Sequence, residues 1–162
     1  MSRVSFNRCR GTFTCKYLSF YDPKLKRSFR LPLVHVRLKH NGNTIRTDAL
    51  VDSGATATFI PIELAEVLDM KIPSECHDAV GAGGAFPTYV SEIKAIEVLK
   101  GLHVFCRMQN FPVTVPKNPD VIPHTILGRD SIFWDNDITF RERRQHTVFR
   151  SPKTPKKKTK YC

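Results

Sequence analysis

The chain has 162 residues, 41% apolar and 25% charged, an ordinary globular composition that suits one domain with a modest core. No apolar run approaches the ~20 residues needed to cross a bilayer as a helix, and the N-terminal MSRVSFNRCR is charged where a signal peptide would be apolar. The net charge is +11, but RSPKTPKKKTKYC at 150–162 holds six basic residues and no acidic one, which leaves about +5 for the rest, so a basic binding face is not demanded.

Residues 1–29 give a weak pattern. Val4-Ser5-Phe6 and residues 11–20 suggest β structure, and Tyr21-Asp22-Pro23-Lys24 suggests a turn. Residues 31–38 alternate, with Val34, Val36 and Leu38 on one face and His35 and Arg37 on the other, as in a half-buried strand. Asn41-Gly42 is a strong hairpin signal, and residues 44–51 form the return strand. Residues 56–60 are β-branched and aromatic and read as another strand. Pro61 can open a helix, and Leu64, Val67 and Leu68 recur at helical spacing for about two turns. Glu63 and Glu66 favour its N-terminal dipole.

Residues 79–86, AVGAGGAF, form a glycine-rich tip between strands. Residues 88–100 read as strand rather than helix, because Ile96 and Val98 alternate. Alternation continues through Leu102, Val104 and Cys106, and again through Phe111, Val113 and Val115. Pro116, Pro119 and Pro123 mark a loop before Ile126-Leu127-Gly128-Arg129. Ile132, Phe133 and Trp134 are expected to fill the core beneath it. Residues 138–140 and 147–149 are expected to pair across a polar turn. The predicted class is all-β, a barrel or sandwich with one or two short helices. The expected organisation is an N-terminal β extension over 1–29, a domain over 30–150 and a disordered basic tail over 151–162.

The five cysteines, Cys9, Cys15, Cys76, Cys106 and Cys162, are scattered and show no C-x-x-C spacing, so neither a zinc motif nor a thioredoxin-like motif is expected. This usage fits a reducing cytoplasm. Spacing alone would permit a Cys9–Cys15 disulfide. Cys76 and Cys106 are expected to be small apolar fillers. The six histidines lack metal-ligand spacing, so no metal or other cofactor is expected. His35 is expected to be exposed or hydrogen-bonded.

The chemistry concentrates in ALVDSGATATFI at 49–60, where Asp52-Ser53-Gly54 interrupts two apolar runs. A carboxylate is costly to bury without a partner. An apolar-apolar-Asp-Ser-Gly-Ala pattern, the helix-like IPIELAEVL after it, the glycine tip and the downstream Ile126-Leu127-Gly128 occur in the order and spacing of a known family. Over roughly residues 31–150 the chain resembles the single-lobed, retropepsin-like aspartic proteases of prokaryotes and retroelements. The resemblance implies a closed acid-protease barrel, homodimeric, with Asp52 from each of two subunits forming the catalytic dyad. Two carboxylates sharing one proton can activate a water and protonate the leaving amine, and such a pair titrates as one unit.

By the same resemblance, Ser53 would hydrogen-bond across the two-fold axis and Gly54 would clear space for substrate. Ala55 and Thr56 would complete the active-site loop. Ala55 has no hydroxyl to stabilise a charged carboxylate at position 52, which implies activity at mildly rather than strongly acidic pH. Gly81, Ala82, Gly83 and Gly84 would form a flap closing over an extended peptide. Ile126, Leu127, Gly128 and Arg129 would form the second signature, with Gly128 packed beneath the active-site loop. Many retroviral relatives carry an acidic partner for the arginine where this chain has Thr56 and Ala57, so Arg129 is expected to turn to Asp130 or to a carboxylate across the interface.

The implied function is aspartic endopeptidase on polypeptide substrates. Two other readings stand beside it: an inactive relative serving as a peptide-binding or dimerisation module, and a basic protein that contacts nucleic acid or another polyanion through the tail between Lys153 and Lys160. No membrane partner is expected.

Overall fold

The computed structural model describes residues 5–7, 11–81 and 83–151. Val4, Cys9, Ala82, Cys162 and the tail between Lys153 and Lys160 lie outside the described residues. In chain order the strands are β1 (Ser5–Asn7), β2 (Thr12–Lys16), β3 (Leu18–Asp22), β4 (Arg27–Leu31), β5 (Leu33–His40) and β6 (Asn43–Val51). The helix α1 (Ile62–Val67) follows, then β7 (His77–Gly81), β8 (Gly84–Lys100), β9 (His103–Pro116), β10 (Thr125–Leu127), β11 (Asp137–Arg141) and β12 (His146–Arg150). The architecture is mostly β, as the pattern predicts, with α1 and two short 3-10 turns as its helical parts among the described residues.

The large sheet has the order β1-β9-β8-β5-β6-β10, with β7 added against β8. Its pairs are antiparallel except β6 with β10, which run parallel. Asn41 and Gly42 both have positive φ, 45° and 82°, the requirement of a type I′ turn, and this turn fixes the β5–β6 register. Period-two alternation buries Val34, Val36 and Leu38 from β5, Ile96 and Val98 from β8, and Cys106 and Met108 from β9 in one core. The helix α1 adds Ala65 to that core, and its Leu64 and Ala65 amides donate to the Pro61 carbonyl.

The predicted pairing of residues 138–140 with 147–149 is present, with Ile138 opposite Phe149. On its other edge β12 takes β2, so Phe13 stacks on Phe149 with ring centroids 5.5 Å apart and meets Phe105 at a tilt, 5.2 Å away. The N-terminal residues therefore contribute to the same core. β3 and β4 form a hairpin whose turn is closed by Asp22, its carboxylate accepting the Lys24 and Leu25 amides.

Three expectations need correction. Residues 56–60 are not a strand. The Phe59 amide and carbonyl bond to Ile126, while the Thr58 carbonyl and Ile60 amide bond to Thr114, so the segment is shared between two strands and builds a ladder with neither. Ile132 is buried and Phe133 partly so, but Trp134 is 50% exposed. Residues 129–135 run through consecutive turns, which direct successive side chains to different sides. Cys106 is the expected buried filler, whereas Cys76 is exposed ahead of β7. Cys15 is half-buried. His35 is exposed and its Nδ1 lies 2.6 Å from Asp48 Oδ1.

Candidate active site

Asp52 follows the last residue of β6, in a strand held on both sides by β5 and β10. Its amide donates to the Leu127 carbonyl at 3.1 Å. The chain then turns through Ser53 and Gly54, both exposed, and the Gly54 amide donates to Asp52 Oδ1 at 2.8 Å. One backbone bond therefore orients the strand end and another orients the carboxylate. A side chain at Gly54 would bring a Cβ to 3.2 Å from Asp52 Oδ1.

The second signature lies directly against this loop. The Arg129 amide donates to the Ala55 carbonyl, and the Asp130 amide to the Thr56 carbonyl. A Cβ on Gly128 would sit 2.1 Å from the Ala57 oxygen and 2.5 Å from its carbonyl carbon, so only glycine fits. Ile126 and Leu127 are the β10 residues paired in parallel with Leu50 and Val51.

Two residues tighten this contact beyond what the motifs state. Thr58 is fully buried, and its amide and hydroxyl both donate to the Asp130 carboxylate, at 3.1 and 2.7 Å. The Thr58 Oγ1 also accepts from the Gly128 amide at 3.3 Å. Burial pushes the Asp130 carboxyl up from its ordinary range, while the bonds from Thr58 oppose that shift. Asp130 thus binds Thr58 rather than Arg129. Arg129 is exposed and makes no ion pair among the described residues. The sequence carried one clue: a hydroxyl inside an otherwise apolar run must find a partner once buried.

The glycine-rich tip joins β7 to β8, with Gly81 paired to Gly84 and Gly84 at φ 105°. Gly81, Gly83 and Gly84 are exposed, and Val80 beside them is 83% exposed. One ring contact links this hairpin to the segment that follows the Asp52 loop: Phe86 of β8 lies 6.3 Å from Phe59, tilted at 45°. Neither phenylalanine was singled out by the motifs. Among the described residues no group of three or more His, Cys, Asp or Glu side chains is arranged to hold a metal ion.

A family model of aspartyl proteases matches residues 36–131. This span contains the Asp52 loop, the glycine-tipped hairpin and the second signature. The chain therefore belongs to the aspartyl protease family, and its fold is retropepsin-like. Among solved structures it is similar to a retropepsin-like aspartic protease from Rickettsia conorii, with a TM-score of 0.55 and 12% identity, over 86% of this chain and 98% of that one. It is also similar to EIAV protease complexed with the inhibitor HBY-793, with a TM-score of 0.44 and 23% identity, over 64% of this chain and 86% of that one. No curated protein matches the sequence.

Proposed function

We propose that the protein is a homodimeric aspartic endopeptidase in which Asp52 of two subunits forms one dyad. The observation that carries this reading is the clamp around the Asp52 loop. Leu127, Gly128 and Asp130 hold it from one side, and the Gly54 amide binds the carboxylate itself. A loop so constrained suits a group that must meet its symmetry mate at a fixed distance.

In the proposed reaction one Asp52 accepts a proton from water as the water attacks the scissile carbonyl. The other, protonated, donates to the carbonyl oxygen, and the proton taken from water then passes to the leaving amine. Ser53 braces one loop against the other across the two-fold axis, and Gly54 leaves room for substrate backbone. Ala55 and Thr56 present their carbonyls to the second signature rather than to substrate. Gly81, Ala82, Gly83 and Gly84 close as a flap over an extended peptide and exclude water.

The test compares wild type and Asp52→Ala on a diverse peptide pool at several pH values. Cleavage is expected in wild type, with an optimum at mildly acidic pH, and is expected to be lost in the variant while the fold and dimer persist. Equal cleavage by both proteins would overturn the assignment of Asp52. An inactive wild type that still bound peptides would point to the binding-module reading.

A further inference from the structure

The face of the large sheet turned away from the apolar core carries an excess of positive charge. Strand register sets Arg46 of β6 opposite Arg37 of β5, Arg37 opposite Glu97 of β8, and Glu97 opposite Arg107 of β9. These residues alternate with Ile45, Val36, Leu38, Ile96, Val98, Cys106 and Met108, which pack in or against the core, so the four charged side chains share the outer face. Lys39 lies one step along the same face.

The Glu97 carboxylate is fully buried and fully engaged. Arg37 reaches its Oε2, while Arg107 and Lys39 reach its Oε1. Three cations thus surround one anion. The fourth cation, Arg46, is exposed and makes no ion pair among the described residues, although its cross-strand neighbour is another arginine. Like charges directly opposite on neighbouring strands repel. Arg107 Nε is also buried without a hydrogen-bond partner. With Glu97 already shared among three cations, no carboxylate of the row is left for Arg46.

We propose that Arg37 and Arg46, flanked by Lys39, bind a phosphate group on the outer face of the β5–β6 hairpin. Arg46 offers an uncommitted guanidinium fork, and Arg37 and Lys39, whose bonds to Glu97 use only part of their N–H donors, add charge and further donors beside it, a set that suits a dianion with three acceptor oxygens better than a single carboxylate. The basic zone is also compact. Asp48 lies two residues beyond Arg46 on the same face, and Thr44 two residues before it, so there is no long track for a nucleic-acid backbone. The group enters either as free phosphate or as a phosphorylated side chain of a polypeptide.

The test titrates the full chain with sodium phosphate against sodium chloride at constant ionic strength, followed by calorimetry and thermal melting. Capped O-phosphoserine and capped serine, both too short to be cleaved, form the second arm. Arg46→Gln removes the exposed member of the pair, relieves its repulsion with Arg37 and leaves the Glu97 bonds intact, so its melting point without phosphate is expected to be no lower than that of wild type. Phosphate is expected to bind and raise the melting point, and Arg46→Gln to weaken binding at least tenfold. Tighter binding of phosphoserine than of phosphate assigns the polypeptide source, and equal binding assigns free phosphate. Phosphate acting no differently from chloride, or binding that survives Arg46→Gln, overturns the proposal. So does tighter binding of a glutamate-rich peptide or a single-stranded oligonucleotide.

Discussion

Gly128 and Thr58 each occupy a position where one atom decides the outcome. A methyl group at 128 meets the Ala57 backbone at 2.1 Å, and backbone cannot yield as a flexible side chain can. Gly128→Ala is expected to cost about 1–3 kcal/mol or more through overpacking, and to displace the Asp52 loop. Thermal melting and peptide cleavage check the two effects, and cleavage is expected to fall further than stability. Thr58→Val keeps the shape but removes a donor to Asp130 and the acceptor for the Gly128 amide. The expected loss is about 1–3 kcal/mol, and it should depend on pH. Burial raises the Asp130 pKa, so its charged form costs the fold stability above that value and the cost disappears as pH falls through it. The Thr58→Val penalty should therefore be largest at neutral pH and shrink on acidification, as melting curves across pH would record. The Asp-Ser-Gly-Ala and Ile-Leu-Gly motifs were legible in the sequence because each is contiguous. The Thr58–Asp130 bond was not, because its partners lie 72 residues apart and their meeting depends on the β6–β10 pairing.

At the scale of elements, strands with strict alternation and a defined turn could be read directly. The β5–β6 hairpin follows from Val34, Val36 and Leu38 together with Asn41-Gly42. Residues 56–60 could not be read this way, since local β propensity does not reveal that two different strands will compete for their backbone groups. Trp134 escaped for a related reason: composition marks it as core, but the turns through 129–135 decide where it points. The outer face of the large sheet holds its own element-scale consequence. Burial opposes charge on Glu97, but the bonds from Arg37 and Lys39 and the charges of Arg107 and Arg37 prevail and hold its pKa below the ordinary range. A depressed carboxylate stabilises the fold above its unfolded pKa, and that contribution is lost as pH falls through the folded value. Wild-type melting temperature is thus expected to decline at strongly acidic pH. Glu97→Gln, which leaves buried cations without their anion, is expected to cost about 3–5 kcal/mol at neutral pH and to show a flatter acid profile. In the glycine-tipped β7–β8 hairpin, proposed above as the flap, Phe86→Ala removes the ring that meets Phe59. It is expected to raise KM more than it lowers kcat, because the contact orders the hairpin rather than the reacting atoms.

For the whole molecule, the proposed dyad makes activity a property of the pair of subunits. Specific activity is expected to fall on dilution along the same curve as the dimer fraction measured by sedimentation, and a mixture of wild type with excess Asp52→Ala should lose activity through mixed dimers. The parallel β6–β10 pair has a further consequence for how the protein comes into being. The strand that delivers Asp52 is made early, but its clamp is made late, after both long strands β8 and β9. Long-range pairings of this kind close slowly, since the intervening chain must first be ordered. During synthesis the Asp52 loop therefore emerges unbraced and stays so until residues 125–130 dock. A nascent chain shorter than this carries the Asp-Ser-Gly motif without the geometry that the proposed dyad needs, which separates the making of the chain in time from the onset of the proposed proteolysis.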